Sequence, residues 1–394
     1  MFHPDNEFIT DLFNAHPSMK DRSPDSIGMT LCQICSHAIH QPLLDLTTSA
    51  DELHKTSVQC DLCRLLLKAI GERLPKEMRT GPLRIRRKAS KIIVQRGPHS
   101  YRLLTIRKIP GKEALDVHII GLRRLTFEWT ETTQCKTPND VQVGVPSLCK
   151  IDDPEYSQLL LAWLRDCDAK HTECRKNFGS SGTKARQYPA RLIAIEESLI
   201  RLVDTKDIDD SGTEPLKYLA LSYTWGDKAV HKRYFTTTDT YEQHCTTIPK
   251  ESLPKLFVDA LTITQNLGIK YLWIDALCIK QGKGGDWETE AERMHATFSA
   301  AYCVLAASRC AGTNDRFLVK RPQHPSATFR DHGLAFSEDI DDFQLEVIEG
   351  TMNKRGWVLQ ERALARRTIY FAEKQTYWEC GQGIRCETLT KMTK

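Results

Sequence analysis

Three short apolar runs in the second half of the chain limit what it can fold into. They are "YLALS" (Tyr218 to Ser222), "YLWI" (Tyr271 to Ile274) and "YCVLAAS" (Tyr302 to Ser308). Each has strand length, and amphipathic segments separate them. Between the first two, "LPKLFVDALTITQNLGI" places Leu253, Leu256, Phe257, Ala260, Leu261 and Leu267 on one helical face. Gly268 stands where a C-terminal cap belongs. The second run is read as one strand through "YLWIDALCI". "DWETEAERMHATFSAA" then reads as a helix, and "RGWVLQERALARR" as another before the strands "TIYFA" and "TYWEC". Strands alternating with helices predict an α/β layer architecture with a mostly parallel sheet.

The first half has a different texture. Residues 1–27 are polar and contain prolines, and are expected to be disordered. "QCDLC" (Gln59 to Cys63) runs into "RLLLKAIGERL", a helix from about Asp61 to Leu74. "LRIRR", "KIIVQR", "YRLLTIR" and "LDVHII" are short alternating segments separated by turn residues, which predicts a small antiparallel sheet. Thr130 to Asp153 reads as a polar linker. "EYSQLLLAWLRDCDAKHTEC" (Glu155 to Cys174) is helical in period, and "ARLIAIE" with "LIRLVD" reads as a β-hairpin. Arg321 to Glu349 breaks the strand-helix alternation and reads as a surface insertion. The expected organisation is a loose terminus (1–27), a cysteine-pair and small-sheet region (28–150), a helix and linker (151–185), and an α/β domain (186–394).

Composition excludes some functions. With 27% charged residues and a formal net charge of +4, the chain lacks the basic excess of a dedicated nucleic-acid binder. The basic stretch Arg84 to Lys91 alternates with apolar residues and reads as the wet face of a strand. A zinc-dependent nucleic-acid binder built on the N-terminal cysteines fits this charge poorly. No apolar run approaches the roughly 18 residues that span a bilayer, and no secretory pattern opens the chain. We expect a soluble, cytoplasmic protein whose 14 cysteines are reduced, metal-bound or buried rather than disulfide-linked.

Several groups carry chemistry. Cys32-x2-Cys35 and Cys60-x2-Cys63 form two short chelating loops, the arrangement of a structural zinc site. The gap between the pairs is longer than in common zinc ribbons, and His37, His40 and His54 are spare donors. The alternative is that Cys60 and Cys63 are core positions at a helix start. Cys167, His171 and Cys174 share one helical face, with metal ligation and simple packing both open; no fourth ligand is evident. Ligands of open parallel sheets bind beyond the carboxyl ends of the strands. Ser222, Tyr223, Trp225, Gly226 and Asp227 follow the first run, Asp275 follows the second, and "SRCAGTND" follows the third. Asp275 can hold a ligand hydroxyl, orient amides or cap the next element. Trp357 and Glu361 lie four apart on one helical face, as a poised carboxylate or a plain ion pair. Cys278 sits in an apolar run, as a buried inert thiol does. The chain has no P-loop, no G-x-G-x-x-G, no H-E-x-x-H and no G-x-S-x-G.

Three stretches together resemble the fungal heterokaryon-incompatibility (HET) domain. "YLALSYTWG" (Tyr218 to Gly226), "WIDALCIKQ" (Trp273 to Gln281) and "RGWVLQERAL" (Arg355 to Leu364) match that family's opening, middle and closing blocks, in order. The resemblance covers about Tyr218 to Cys386. The cysteine pairs and the Cys-His-Cys helix resemble segments often found upstream in such proteins. The acidic helix departs from the family pattern: it keeps Met294 but has Glu292 and Phe298 nearby, and Gly282 to Asp286 is glycine-rich. Many members continue far beyond the closing block, so the chain reads as a short member, a fragment or a decayed copy.

The resemblance implies fungal self/non-self recognition and programmed cell death, an innate-immunity type of role. It implies self-association or other incompatibility proteins as partners. HET domains are also remotely similar to TIR domains, several of which cleave NAD, and this implies a TIR-like, flavodoxin-like sheet. The Trp357-x3-Glu361 spacing is similar to that around the TIR catalytic glutamate. On that likeness Glu361 is the catalytic residue. Ser222, Tyr223, Trp225, Gly226, Asp227, Asp275 and Trp357 would surround NAD, Trp225 stacking on a ring and Asp275 contacting ribose. The alternative is a non-catalytic death-signalling module in which Trp225 packs on Trp357 and Asp227 caps a turn.

Overall fold

The structure is a computed structural model. It describes residues 6–16, 19, 29–39, 45–88, 90–96, 98–108, 142, 144–145, 151, 154–175, 188–196, 199–208, 216–227, 234–321, 324, 326–329, 334–354 and 361–392. In chain order the strands are β1 (Asp45–Thr48), β2 (Leu83–Lys88), β3 (Lys91–Arg96), β4 (His99–Lys108), β5 (Arg191–Ile195), β6 (Ile200–Asp204), β7 (Tyr218–Ser222) and β8 (Tyr271–Trp273). They continue as β9 (Cys303–Ala306), β10 (Ser326–Phe329), β11 (Leu334–Glu338), β12 (Arg367–Phe371), β13 (Thr376–Cys380), β14 (Gly383–Cys386) and β15 (Lys391–Met392). The chain divides into two units.

The first unit comprises residues 1–148, 322–341 and 387–391. Its six-stranded sheet has the order β1-β2-β3-β4-β11-β10, every pair antiparallel. The expected small sheet is therefore present, although "LDVHII" lies outside the described residues. Alternation places Leu83 and Ile85 of β2 and Ile92 and Val94 of β3 in the core. A register shift between Ile92 and Ile93 lets consecutive Leu103 and Leu104 of β4 both be buried. Helix Asp61–Arg73 covers the same core with Leu62, Leu65, Leu66, Ala69 and Ile70. The preceding helix, Ala50–Thr56, starts on a capping box made by Ser49 and Glu52. Arg84 pairs with Asp45 at 2.7 Å, so part of the basic stretch is answered across the sheet.

Ser326–Phe329 and Leu334–Glu338, which the sequence suggests are part of a surface insertion, extend this sheet as β10 and β11. β11 pairs with β4, and Leu334–Glu338 is buried throughout. The insertion also supplies the acids of a buried ion network. Asp339 lies 2.6 Å from Lys91 and accepts from Thr105 at 2.9 Å. Asp341 lies 2.6 Å from Arg107 and accepts from Thr388 at 2.8 Å.

The second unit comprises residues 149–321, 342–386 and 392–394. Its sheet order is β15-β14-β13-β12-β9-β7-β8-β5-β6. Four neighbours, β8-β7-β9-β12, run parallel to one another. The expectation of a mostly parallel sheet needs correcting, because the pairing is mixed. β5 pairs antiparallel with both β6 and β8, and β12-β13-β14 is an antiparallel meander. The short connections within β5-β6 and within β12-β13-β14 permit only hairpin pairing, since a parallel step needs a long crossover. β5 meets β8 across a long stretch of chain, so that antiparallel step is set by packing and not by the connection.

β7, at the middle of the sheet, is buried at all five positions, as the run "YLALS" requires. Helix Lys255–Asn266 buries Leu256, Phe257, Ala260, Leu261 and Ile263. Gly268 ends it at φ +67°, the left-handed conformation its position anticipates. Helix Trp287–Ala300 packs Phe298 edge-on against Trp273 of β8 at 5.5 Å. Helix Pro154–Lys170 sets Trp163 against Trp378 of β13 at 6.3 Å. β8 is shorter than expected: the chain turns at Ile274 into a helical turn, Asp275–Cys278. The Asp275 side chain accepts from the Ala276 amide at 2.7 Å, and the Cys278 amide donates to the Ile274 carbonyl at 2.7 Å. These local bonds compete successfully with continuing the strand.

Glu346 lies in the turn Gln344–Ile348 and accepts from the Lys374 amide at 3.2 Å. Burial, only partly offset by that bond and by Lys374 and Arg321, pushes its carboxyl up to about 7. A carboxyl with a raised folded-state pKa contributes stability below its unfolded pKa and loses it as pH rises through about 7. Glu346→Gln should therefore melt with the wild type near pH 4 and several degrees above it near pH 8. Thermal melts across that range check this, and parallel curves for the two proteins would refute it.

Candidate functional site

The parallel strands deliver polar groups to one end of the sheet. Ser222 ends β7, is buried, and donates its hydroxyl to Glu361 Oε2. Glu361 lies in the helical turn 361–364, just before β12. Beyond Ser222, Tyr223 donates to Asp275 Oδ1 at 2.6 Å and Trp225 Nε1 donates to Asp275 Oδ2 at 2.9 Å. With the Ala276 amide, Asp275 accepts three hydrogen bonds from groups near the ends of β7 and β8. Tyr223 lies edge-on to Phe257 at 5.3 Å, and Trp225 edge-on to Phe235 at 5.9 Å. Both aromatic residues are held in orientation by packing on one side and a carboxylate on the other.

Gly226 adopts φ +72°, and a Cβ built there would lie 2.7 Å from Gly312 Cα. The loop after β7 thus presses directly on the loop after β9. That second loop is shaped by Asp315, which accepts from the amides of Ala311 and Gly312 at 2.8 and 3.0 Å. Asp259, buried under it, accepts from the amides of Phe317 and Leu318, each at 3.0 Å. Asp227 is exposed. Trp357 and the rest of Arg355 to Gln360 lie outside the described residues. Arg362, next to Glu361, is engaged elsewhere and pairs with Glu379 at 3.1 Å.

Ser222, Tyr223, Trp225, Asp275 and Glu361 are therefore gathered at one end of the sheet by two sets of hydrogen bonds. Chemically, two carboxylates beside hydroxyls and an indole can accept from ligand hydroxyls and offset developing positive charge. Burial pushes the Cys278 thiol up to about 12, the condition of an inert core cysteine.

The N-terminal cysteines form a second constellation. The Sγ atoms of Cys32, Cys35, Cys60 and Cys63 all lie within 4.8 Å of one another. Cys32 and Cys63 are 3.8 Å apart and Cys35 and Cys63 3.3 Å. Four sulfurs about 2.3 Å from a tetrahedral zinc would be about 3.8 Å apart. The amides of Cys35 and Cys63 donate to the sulfurs of Cys32 and Cys60 at 3.5 and 3.4 Å. Hydrogen bonds from Cys35 and Cys63 hold the Cys60 thiol far below its usual range, while the same contacts push Cys35 up. The donor set can hold a metal ion. His54 and His37 are not among its four donors, and His40 lies outside the described residues.

A third constellation was only three-quarters legible in the sequence. Cys167, His171 and Cys174 meet Cys380 of β13, again with all donor atoms within 4.8 Å. Nothing in "TYWEC" marks that cysteine as a partner of a helix some two hundred residues earlier. Only the pairing of β13 into the sheet brings it there.

The molecule is thus a mixed α/β protein with a carboxylate-rich cluster at the carboxyl ends of parallel strands and two thiol-rich groups. Residues 218–361 match the family model described as heterokaryon incompatibility protein (HET), and the chain carries a HET domain over that span. No curated protein and no solved structure matches the chain. Among the described residues no helix is long and apolar enough to cross a membrane.

Proposed function

We propose that this chain acts in fungal self/non-self recognition and programmed cell death, and that its strand-end cluster is a TIR-like site that consumes NAD. The contact between Ser222 and Glu361 carries this reading, since it puts the glutamate at the carboxyl end of the central strand. The order of the parallel core supports it. Numbered among themselves, β7, β8, β9 and β12 lie in the order 2-1-3-4. Flavodoxin-like sheets share that order and place ligands where the winding reverses, between the first and third strands. Here that position lies between the ends of β7 and β9.

In the proposed reaction Glu361 engages the ribose attached to nicotinamide. The bond between nicotinamide nitrogen and ribose C1′ breaks, and its electron pair leaves with nicotinamide. Positive charge develops on the ribose, and the Glu361 carboxylate stabilises it. Water adds to C1′, giving ADP-ribose, nicotinamide and a proton. Trp225 offers a stacking surface and Asp275 a ribose contact, with Gly226, Asp227 and Tyr223 beside them. Self-association or another incompatibility protein is the expected trigger, in the cytoplasm.

Two observations favour a non-catalytic signalling module instead. Asp275 already accepts three internal hydrogen bonds, and Gly226 already meets Gly312. Both serve to bind the loops together. The decisive experiment incubates purified chain with NAD and measures nicotinamide and ADP-ribose. Release that falls about 100-fold in Glu361→Gln supports the enzyme. Equal release from both proteins, or cell death without NAD loss, supports the signalling module.

The N-terminal cluster is proposed to hold zinc through Cys32, Cys35, Cys60 and Cys63. With four protein ligands and no open position, such a site serves folding rather than catalysis.

A further inference from the structure

Helix Pro154–Lys170 carries Cys167 in its last turn, His171 follows at the break, and the short helix Thr172–Arg175 carries Cys174. The His171 amide donates to the Cys167 carbonyl at 3.0 Å, and the Arg175 amide to the His171 carbonyl at 3.3 Å. These two bonds carry the turn across the break, and the donor atoms of Cys167, His171 and Cys174 lie within 4.8 Å of one another. β13 ends with Cys380 beside them. Cys380 Sγ lies 3.5 Å from His171 Nδ1. A tetrahedral zinc with Zn–S of about 2.3 Å and Zn–N of about 2.0 Å requires a sulfur–nitrogen edge of about 3.5 Å.

The surroundings suit a metal. Cys167, Cys174 and Cys380 are buried and form no disulfide. The Gln382 amide donates to Cys380 Sγ at 3.4 Å, as amides do for zinc-bound thiolates in short chelating turns. Gly381 leaves space beside Cys174, since a Cβ there would lie 3.4 Å from its sulfur. Three thiolates around a zinc dication leave one negative charge. Arg367 lies near enough to Cys167 to interact with it electrostatically, and Arg366 donates to the Cys174 carbonyl at 3.5 Å. Simple packing of thiols would not require four donor atoms to converge.

We infer that Cys167, His171, Cys174 and Cys380 bind a structural zinc ion that ties the helix before the HET match to the strand after it. The inference is independent of NAD turnover. All four ligands lie outside residues 218–361, so the matched span alone lacks this clamp.

The test uses the full chain purified without chelator. Zinc content is measured by mass spectrometry and the zinc ligand shell by X-ray absorption. The expected wild type holds two zinc ions per chain, with nitrogen in the shell. Cys60→Ser with Cys63→Ser should leave one zinc bound by three sulfurs and one nitrogen. His171→Ala with Cys380→Ala should leave one zinc bound by sulfur alone. A wild-type shell without nitrogen, or zinc content unchanged by His171→Ala with Cys380→Ala, overturns the inference even if those variants fold poorly. Zinc retained in full by the Cys60→Ser and Cys63→Ser variant, with nitrogen in its shell, defeats the N-terminal site and leaves this one standing.

Discussion

Asp341→Ala is expected to destabilise the first unit by about 3–5 kcal/mol. Asp341 sits 2.6 Å from Arg107, accepts from Thr388 at 2.8 Å and Thr390 at 3.1 Å, and has Lys91 at 3.5 Å. Arg107 is 1% exposed, so water cannot take over when the carboxylate is removed. The loss is a large share of the roughly 5–15 kcal/mol that holds a typical domain together. Asp341→Asn keeps acceptors but removes the charge and should fall between. Arg107→Met combined with Asp341→Ala should recover much of the loss, because the stranded charge is then gone. Urea unfolding of the three variants measures this. A single Asp341→Ala chain with the wild-type midpoint would rule the argument out.

The second large effect concerns Gly226. Its φ of +72° alone costs an L-residue about 1–2 kcal/mol. In addition, an alanine Cβ would meet Gly312 Cα at 2.7 Å and the Ala311 carbonyl at 3.3 Å. These are backbone atoms and cannot swing aside, so the two loops must part. Gly268 is the natural control. It has φ +67°, but a Cβ added there would meet nothing within 4 Å. Gly268→Ala should therefore cost only the backbone strain, about 1–2 kcal/mol. Gly226→Ala should cost at least twice as much, with loss of the Trp225 to Asp275 hydrogen bond. Equal costs in denaturant unfolding would show that the Gly312 loop yields freely and that the close approach is unimportant.

Particular residues show how far the sequence could be read. The apolar run Tyr218 to Leu221 announced a strand buried on both faces, and β7 is that strand. Period 3.6 and Gly268 located helix Lys255–Asn266 to within two residues of its start. "YLWIDALCI" misled because apolar character does not separate a short strand from a strand followed by one helical turn. The local bond from Ala276 to the Asp275 carboxylate decides that question. Arg321 to Glu349 broke the strand-helix alternation and so read as an insertion. Its β10 and β11 are strands that join the sheet through β4, more than two hundred residues earlier.

By itself, the sequence determined most of the strands and helices in the HET-matching core, and it nominated Ser222, Tyr223, Trp225, Asp275 and the paired cysteines. These are properties of hydrophobic period and short spacing, which act over a few residues. Only the tertiary structure decided the mixed pairing of the large sheet, the contact of Ser222 with Glu361, the closure of Gly226 on Gly312 and the arrival of Cys380 beside His171. Each of these joins residues far apart in the chain. Their proximity is a consequence of burying whole sheets and helices together, and no local pattern encodes the distance between two such positions.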